Sequence, residues 1–250
     1  MNDISISGIY FASRSERGLV RKNNQDNVVC LGELGVFAVA DGMGGCAEGA
    51  LASRMMCEAL EQGVSADSGY QMRLDEIAAA VDAANGRIFA YAAKHGFRTM
   101  GTTLALLALD GTTSRRGTIG HIGDSRVYRV RSGRAELMTR DHSVGAELEE
   151  SVGTAAGHSF AMRSNPLSHM LTRAIGISEK VQLEWRKIDV AVGDRFVVCS
   201  DGVHDVVGVA ELLALVAEEC VSDAAKALER AIVAHGAPDN YSFVIIEIGG

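Results

Sequence analysis

The sequence predicts an α+β fold, with clustered antiparallel strands and grouped helices in separate layers. Three observations carry that expectation. Between Thr102 and Thr139, short β-like segments follow one another across Gly-containing turns, the signature of a meander. Helical periodicity comes in two paired blocks, one after Gly45 and one after Val209, and does not alternate with single strands. No repeat, low-complexity tract or Pro-rich linker interrupts the chain, so residues 1–250 are expected to form one domain.

The first element expected is a strand from Ile4 to Phe11, where apolar and polar residues alternate weakly. A polar stretch from Gly18 to Asp26 leads to Val28-Val29-Cys30-Leu31. Glu33-Leu34-Gly35 reads as a turn, and Val36 to Ala40 as a buried strand that ends in Asp41. Two strands joined by a tight turn would place Asp26 and Asp41 at the same end of a hairpin. Gly42-Met43-Gly44-Gly45 then makes a loop nearly free of side chains, suited to close backbone approach. Ala47, Leu51, Met55 and Ala59 recur on one face of a first helix that should stop near Gly63. A second helix is expected from Leu74 to Lys94, with Ile77, Val81, Ala84, Ile88 and Ala92 as its apolar stripe and Gly96 as its stop.

The meander strands are expected at Thr102 to Leu109, Gly117 to Ile122, Arg126 to Arg131 and Arg134 to Thr139. Val144 to Leu171 shows no clean period and reads as an excursion, with a short helix near Gly145 to Val152. Strand signal returns at Val181 to Val190 and Arg195 to Ser200. Helices should follow at Val209 to Glu219 and at Ser222 to His235, the latter with Ser222 as N-cap. Ser242 to Ile248 reads as a closing strand.

Composition narrows the functional class. Apolar residues make up 47% of the 250, enough for a sizeable core. A net charge of −8 argues against non-specific nucleic-acid binding, which needs a basic surface. Cys30, Cys46, Cys57, Cys199 and Cys220 form no C-x-x-C pair and are odd in number, so reduced thiols in a cytoplasmic protein are expected over a zinc or disulfide framework. The amino terminus shows no basic segment followed by an apolar one. No apolar run reaches the roughly 18 residues that would suggest a membrane span.

The chemistry rests on aspartates beside strand ends. Asp41-Gly42, Asp110-Gly111 and Asp201-Gly202 each close an apolar run. Asp-Gly is a common hairpin turn, and Asp110-Gly111 reads as nothing more. Asp41 is followed by more glycine than a turn requires, and Asp201 leads into a helix-like segment. Asp26, Asp124 and Asp239 also flank strands. Carboxylates gathered on one rim would raise each other's pKa unless divalent cations neutralise them. Oxygen ligands favour magnesium or manganese over zinc. Such a centre suits phosphate-ester hydrolysis, and Arg21 is the candidate to grip phosphate oxygens. Gly42 could offer a backbone carbonyl as a ligand.

Arg21-x-x-Asn24-Gln25-Asp26, Asp41-Gly42-Met43-Gly44-Gly45, Gly101-Thr102-Thr103, Gly123-Asp124-Ser125-Arg126, Thr139-x-Asp141-His142-Ser143, Leu171-Thr172-Arg173-Ala174-Ile175-Gly176, Ser200-Asp201-Gly202 and Asp239-Asn240-Tyr241-Ser242 occur in that order. This series resembles the metal-dependent serine/threonine protein phosphatases of the type 2C class, in their bacterial single-domain form, over about Gly8 to Ile248. The resemblance implies a central sandwich of two mainly antiparallel sheets with paired helices on both outer faces. It implies hydrolysis of phosphoserine and phosphothreonine by direct attack of a water bridging two manganese or magnesium ions. By motif, Asp41 would bridge both ions and Gly42 would offer its carbonyl. Asp201 and Asp239 would complete the first ion's shell, and Asp26 would act through water. Asp124 with Asp201 would form a third site, and Arg21 would bind the phosphate. The excursion at 144–171 falls where relatives carry a flap. Three departures stand out: Gln25 replaces a common Glu and adds no charge, Met43 replaces the histidine of eukaryotic members, and the 144–171 region lacks the usual pattern of a helix with a clear acidic run. His121, His142 and His204 are expected to be structural. Phosphorylated proteins are the implied partners, with a cognate serine/threonine kinase and a monomeric state. The alternatives are a catalytically silent sensing module on the same fold and a phosphatase of a small phosphorylated metabolite.

Overall fold

The apolar run leading to Asp41 is fully enclosed, with Val36 to Ala40 all at 0% exposure. The computed structural model describes residues 4–6, 8–45, 48–66, 68–110, 115–152 and 168–250. The chain opens with β1 (Ile4–Ile6) and β2 (Ile9–Glu16), so the single strand expected from Ile4 to Phe11 is broken. The break falls by Gly8, whose φ of +77° no strand accommodates. An irregular loop leads to β3 (Asp26–Leu31), a 3-10 turn (Gly32–Leu34) and β4 (Val36–Met43). Helices α1 (Glu48–Gly63) and α2 (Tyr70–His95) follow. Then come β5 (Gly101–Thr102), β6 (Leu104–Leu109), β7 (Arg116–Ile122), β8 (Arg126–Arg131) and β9 (Arg134–Leu137).

Helix α3 (Val144–Val152) opens the excursion, most of whose remainder, 153–167, lies outside the described residues. The chain continues through β10 (Glu184–Asp189), β11 (Arg195–Cys199), α4 (Asp201–His204), α5 (Val209–Leu215), α6 (Val221–Ala234) and β12 (Tyr241–Ile248). Helix α5 ends before the expected Glu219. The carbonyls of Val216, Glu218 and Glu219 turn instead to the Arg195 guanidinium. The N-cap of α6 is Cys220, with no side-chain cap bond, and Ser222 lies within the first turn.

One sheet has the order β1-β2-β12-β11-β8-β9, the other β10-β7-β6-β4-β3 with β5 attached to β4. Every described pairing is antiparallel. Successive strand residues point to opposite faces, so each sheet feeds two apolar layers. Phe37, Val39 and Leu107 meet Phe196, Val198, Val244 and Ile246 between the sheets. On one outer face Ala38, Ala40 and Leu106 pack on Met56 and Leu60 of α1 and Ile77 and Ile88 of α2. On the other, Val197, Phe243 and Ile245 pack on Val203, Leu212, Leu228 and Ile232 of α4 to α6. Each such large side chain contributes about 1.5–3 kcal/mol when fully buried. The result is the helix–sheet–sheet–helix layering that the resemblance implies. Among the described residues no helix is long and apolar enough to cross a membrane. Among the described residues Cys30, Cys57, Cys199 and Cys220 form no disulfide, and Cys46 lies outside the described residues.

Candidate active site

Asp41 sits where β4 changes partners. Val36 to Val39 pair with β6, whereas Gly42 and Met43 pair with β5, so the strand runs two residues beyond Asp41. The break between β5 and β6 is Thr103. Its hydroxyl accepts the Asp41 N–H at 3.0 Å, while its own N–H donates to the Asp41 carbonyl at 2.8 Å. Thr102 Oγ1 donates to that carbonyl as well, at 2.9 Å. The Asp41 backbone is therefore held independently of the regular ladder. Its side chain follows Phe37 and Val39 on the alternating face, at the rim of the inter-sheet layer.

The hairpin places Asp26 directly opposite Asp41. Asp26 is 4% exposed, and its Oδ2 accepts from Ser200 Oγ of the other sheet at 2.7 Å. Asp201 follows Ser200 as the first residue of α4, and its carboxylate is within hydrogen-bonding reach of Asp41. Asp124 lies in the β7–β8 turn. His204 Nε2 donates to its carbonyl at 3.1 Å. His142 accepts the Gly123 N–H on Nδ1 at 3.1 Å, and its Nε2 lies 2.9 Å from the Arg173 guanidinium and 3.1 Å from Glu184. His121 is buried against the His142 ring, at 4.6 Å between centroids, and burial pushes its pKa down to about 4. The histidines thus pack around the Asp124 turn.

Asp239 and Arg21 complete the rim from the β12 side. Arg21 Nη2 donates to Asp239 Oδ2 at 2.6 Å, and the guanidinium is about half exposed. That bond, with the charges of Asp201 and Asp41, raises the Arg21 pKa. The sequence candidates therefore converge on one end of the sandwich. A cleft of about 410 Å³ opens beside Asp124 and Asp201, lined also by Ser143, Glu149, His169, His204 and Asp205. It extends from the carboxylate rim toward the start of α3.

The electrostatics are those of charge without compensation. Burial, then repulsion from Asp26, Asp201 and Asp124, holds Asp41 well above the ordinary carboxylate range. Burial and Asp201 do the same to Asp124. Burial raises Asp201, with Asp205 and Asp239 adding to the effect against His204. Asp26 is pushed up to about 7, chiefly by burial. Such a set accepts a cation readily.

The residues present fit divalent ions. Among the described residues Asp26 Oδ1 is buried with no hydrogen-bond partner, an acceptor left for a ligand or its water. At Gly49, a side chain would collide with the Gln25 amide and press on the Gly42 carbonyl, so glycine there keeps that carbonyl uncovered. The donors are all oxygen, which suits magnesium or manganese. Among the described residues no three acidic, histidine or cysteine side chains form a closed ligand set, and Asp239 gives an oxygen to Arg21. An ion here would thus draw on backbone carbonyl and water as well as carboxylate. Thr103, Ser200, Gly49 and Asn240 were not singled out for roles from sequence. Thr103, Ser200 and Asn240 fall inside the quoted motifs, which was the one available signal.

A protein-family model described as protein phosphatase 2C matches residues 16–234. The chain belongs to that family. The serine/threonine protein phosphatase PstP of Mycobacterium tuberculosis is 34% identical over 241 residues, covering 95% of this chain and 45% of that protein. The chain thus spans about half the length of that curated relative. Among solved structures, PppA of Pseudomonas aeruginosa superposes with a TM-score of 0.86 at 31% identity, over 98% of this chain and 99% of its own. The catalytic domain of PstP in complex with two manganese ions superposes with a TM-score of 0.82 at 30% identity, over 97% and 99%.

Proposed function

We propose that the chain is a metal-dependent protein phosphatase that hydrolyses phosphoserine and phosphothreonine by direct attack of water, with no phosphoenzyme. The observation that carries this reading is the crowding of Asp26, Asp41, Asp124 and Asp201 on one rim beside the Arg21 guanidinium. Two manganese or magnesium ions, when bound, would neutralise the phosphate and make water acidic enough to act as nucleophile near neutral pH. Asp41 would help hold both ions with its carboxylate, and Gly42 would offer its carbonyl. Asp201 and Asp239 would complete the first shell, Asp26 would hold water, and Asp124 with Asp201 would take a third ion. Arg21 would orient the phosphate through its forked donors, exchanging part of its contact with Asp239 for phosphate oxygens. Met43 has no proton to give, so the Gly42 to Gly45 loop positions and does not protonate the leaving oxygen.

On the same reading, residues 1–250 are one catalytic domain whose 144–171 segment is a flap. Its partners are phosphorylated proteins and the serine/threonine kinase whose products it reverses, and it works as a cytoplasmic monomer. The purified protein should hydrolyse a small aryl phosphate and a phosphothreonine peptide with manganese, and chelation should abolish both. Full activity in chelator would overturn the mechanism. Absence of any manganese binding by calorimetry would favour a silent sensing module instead.

A further inference from the structure

Arg21 sits on the loop 17–25, which has no regular secondary structure of its own. Its shape must therefore come from bonds to other segments. The side chain of Asn240, 5% exposed, supplies three of them. Its Nδ2 donates to the carbonyls of Arg17 and Asn23, each at 2.8 Å, and its Oδ1 accepts the Gln25 N–H at 2.9 Å. These partners bracket Arg21 on both sides. A neutral amide meets two carbonyls and one N–H in a single orientation, whereas a carboxylate of the same shape meets only the N–H.

The same residue also touches the metal side of the rim. The Asn240 N–H donates to Asp239 Oδ1 at 2.7 Å, and the other Asp239 oxygen receives Arg21 Nη2 at 2.6 Å. A backbone bond from Leu19 N–H to the Ala237 carbonyl, at 2.9 Å, ties the loop to the same segment. Loop, guanidinium and Asp239 carboxylate are therefore joined in one hydrogen-bonded unit around Asn240.

We propose that Asn240 is a positioning residue for phosphate binding: it fixes the 17–25 loop so that Arg21 stands over the carboxylate rim, without itself touching substrate. This rests on the phosphatase reading above. An ordered loop avoids the entropic cost of being organised only when phosphate arrives. Losing that order should weaken phosphate binding more than it slows the chemical step.

The test uses the full chain with manganese and compares Asn240→Asp and Asn240→Ala in the parent and in an Arg21→Ala background. Asn240→Asp should raise KM for a phosphothreonine peptide, and the inhibition constant of inorganic phosphate, roughly 10-fold, with kcat within about threefold. In the Arg21→Ala background it should add less than about twofold, because its effect passes through Arg21. Manganese stoichiometry by calorimetry should not change. Asn240→Ala, which sets no carboxylate against the two carbonyls, should act in the same direction more weakly, and serves as the test if Asn240→Asp does not fold. Equal factors in both backgrounds would overturn the proposal, as would lost manganese binding with phosphate affinity intact. Hydrogen exchange is a readout independent of turnover. The Leu19 and Gln25 amides should exchange faster in either variant while those at the centre of β12 stay protected. Unchanged exchange at both would also overturn it. If the parent protein lacks manganese-dependent hydrolysis, the phosphatase reading fails, and the exchange data still decide the role of Asn240 in the loop.

Discussion

Two Asp-Gly pairs end apolar strands of the same sheet and meet opposite surroundings. Asp41 closes the apolar run of β4, and Asp110 follows β6. Because β4 and β6 are antiparallel, the two carboxylates lie at opposite ends of the sheet. Asp110 donates its N–H to the Arg116 carbonyl at 3.0 Å, and its carboxylate is 3.2 Å from the Arg116 guanidinium. That is an ion pair between the facing ends of two strands. Asp41 faces Asp26 from β3, Asp201 from the end of β11 and Asp124 from the β7–β8 turn. The same dipeptide sequence follows the same kind of strand in both places, yet one aspartate makes an ion pair at a strand end and the other stands at the centre of a charge cluster. What differs is which strands bring their ends to that edge.

The comparison breaks most directly at the two aspartates. Asp41→Asn should lower manganese-dependent hydrolysis of a phosphopeptide by roughly 10³-fold or more, with the fold kept. Asp110→Asn should stay within about twofold, since an exposed ion pair contributes only about 0–1 kcal/mol. Similar losses in both would erase the distinction. Arg21→Ala comes next. It should reduce kcat/KM roughly 10- to 100-fold, mostly through KM, in steady-state kinetics with a phosphothreonine peptide. A pure kcat effect would place Arg21 outside phosphate binding.

Charge crowding at the Asp41 end also has a pH signature. Asp26 is raised from its ordinary 3.8 to about 7, so the folded, metal-free protein holds a proton there that the unfolded chain releases. Its contribution to stability is fully present below about pH 4 and is lost as pH rises through about 7. Thermal midpoints in chelator should fall across that window relative to Asp26→Asn, and saturating manganese should remove the fall. A flat difference between the two proteins would show that Asp26 titrates normally. A local effect on stability is expected at Thr103→Val, which takes away the acceptor of the Asp41 N–H. It should cost about 1–2 kcal/mol in a denaturant midpoint. No change would mean that the ladder, and not Thr103, holds Asp41.

Much of this architecture was legible from local pattern. The β3–β4 hairpin and the face-to-face placement of Asp26 and Asp41 follow from two apolar runs across a short turn. Helices α1 and α2 were visible because their apolar stripes keep the helical period and meet Gly stops. The misjudged boundaries have tertiary causes. Strand β4 continues through Gly42 and Met43 because β5 comes back to pair with them. Helix α5 ends early because Arg195, on a neighbouring strand, takes the carbonyls that follow it. The supports of the site were not legible at all. Ser200 reaches Asp26 across 174 residues of chain, and Asn240 reaches Gln25 across 215. No period or turn rule connects such pairs.

By itself, the sequence determined which residues carry charge to strand ends, and the alternation and helical stripes that sort the chain into layers. Those are short-range properties, set by side-chain periodicity and turn chemistry. Only the tertiary structure decided that Asp41 and not Asp110 meets other carboxylates, that Thr103 replaces a ladder bond beside it, and that one buried asparagine holds the loop of Arg21. Those outcomes depend on sheet order and on the meeting of two sheets. There, a hydrogen bond or a charge contact joins groups that the chain separates by most of its length.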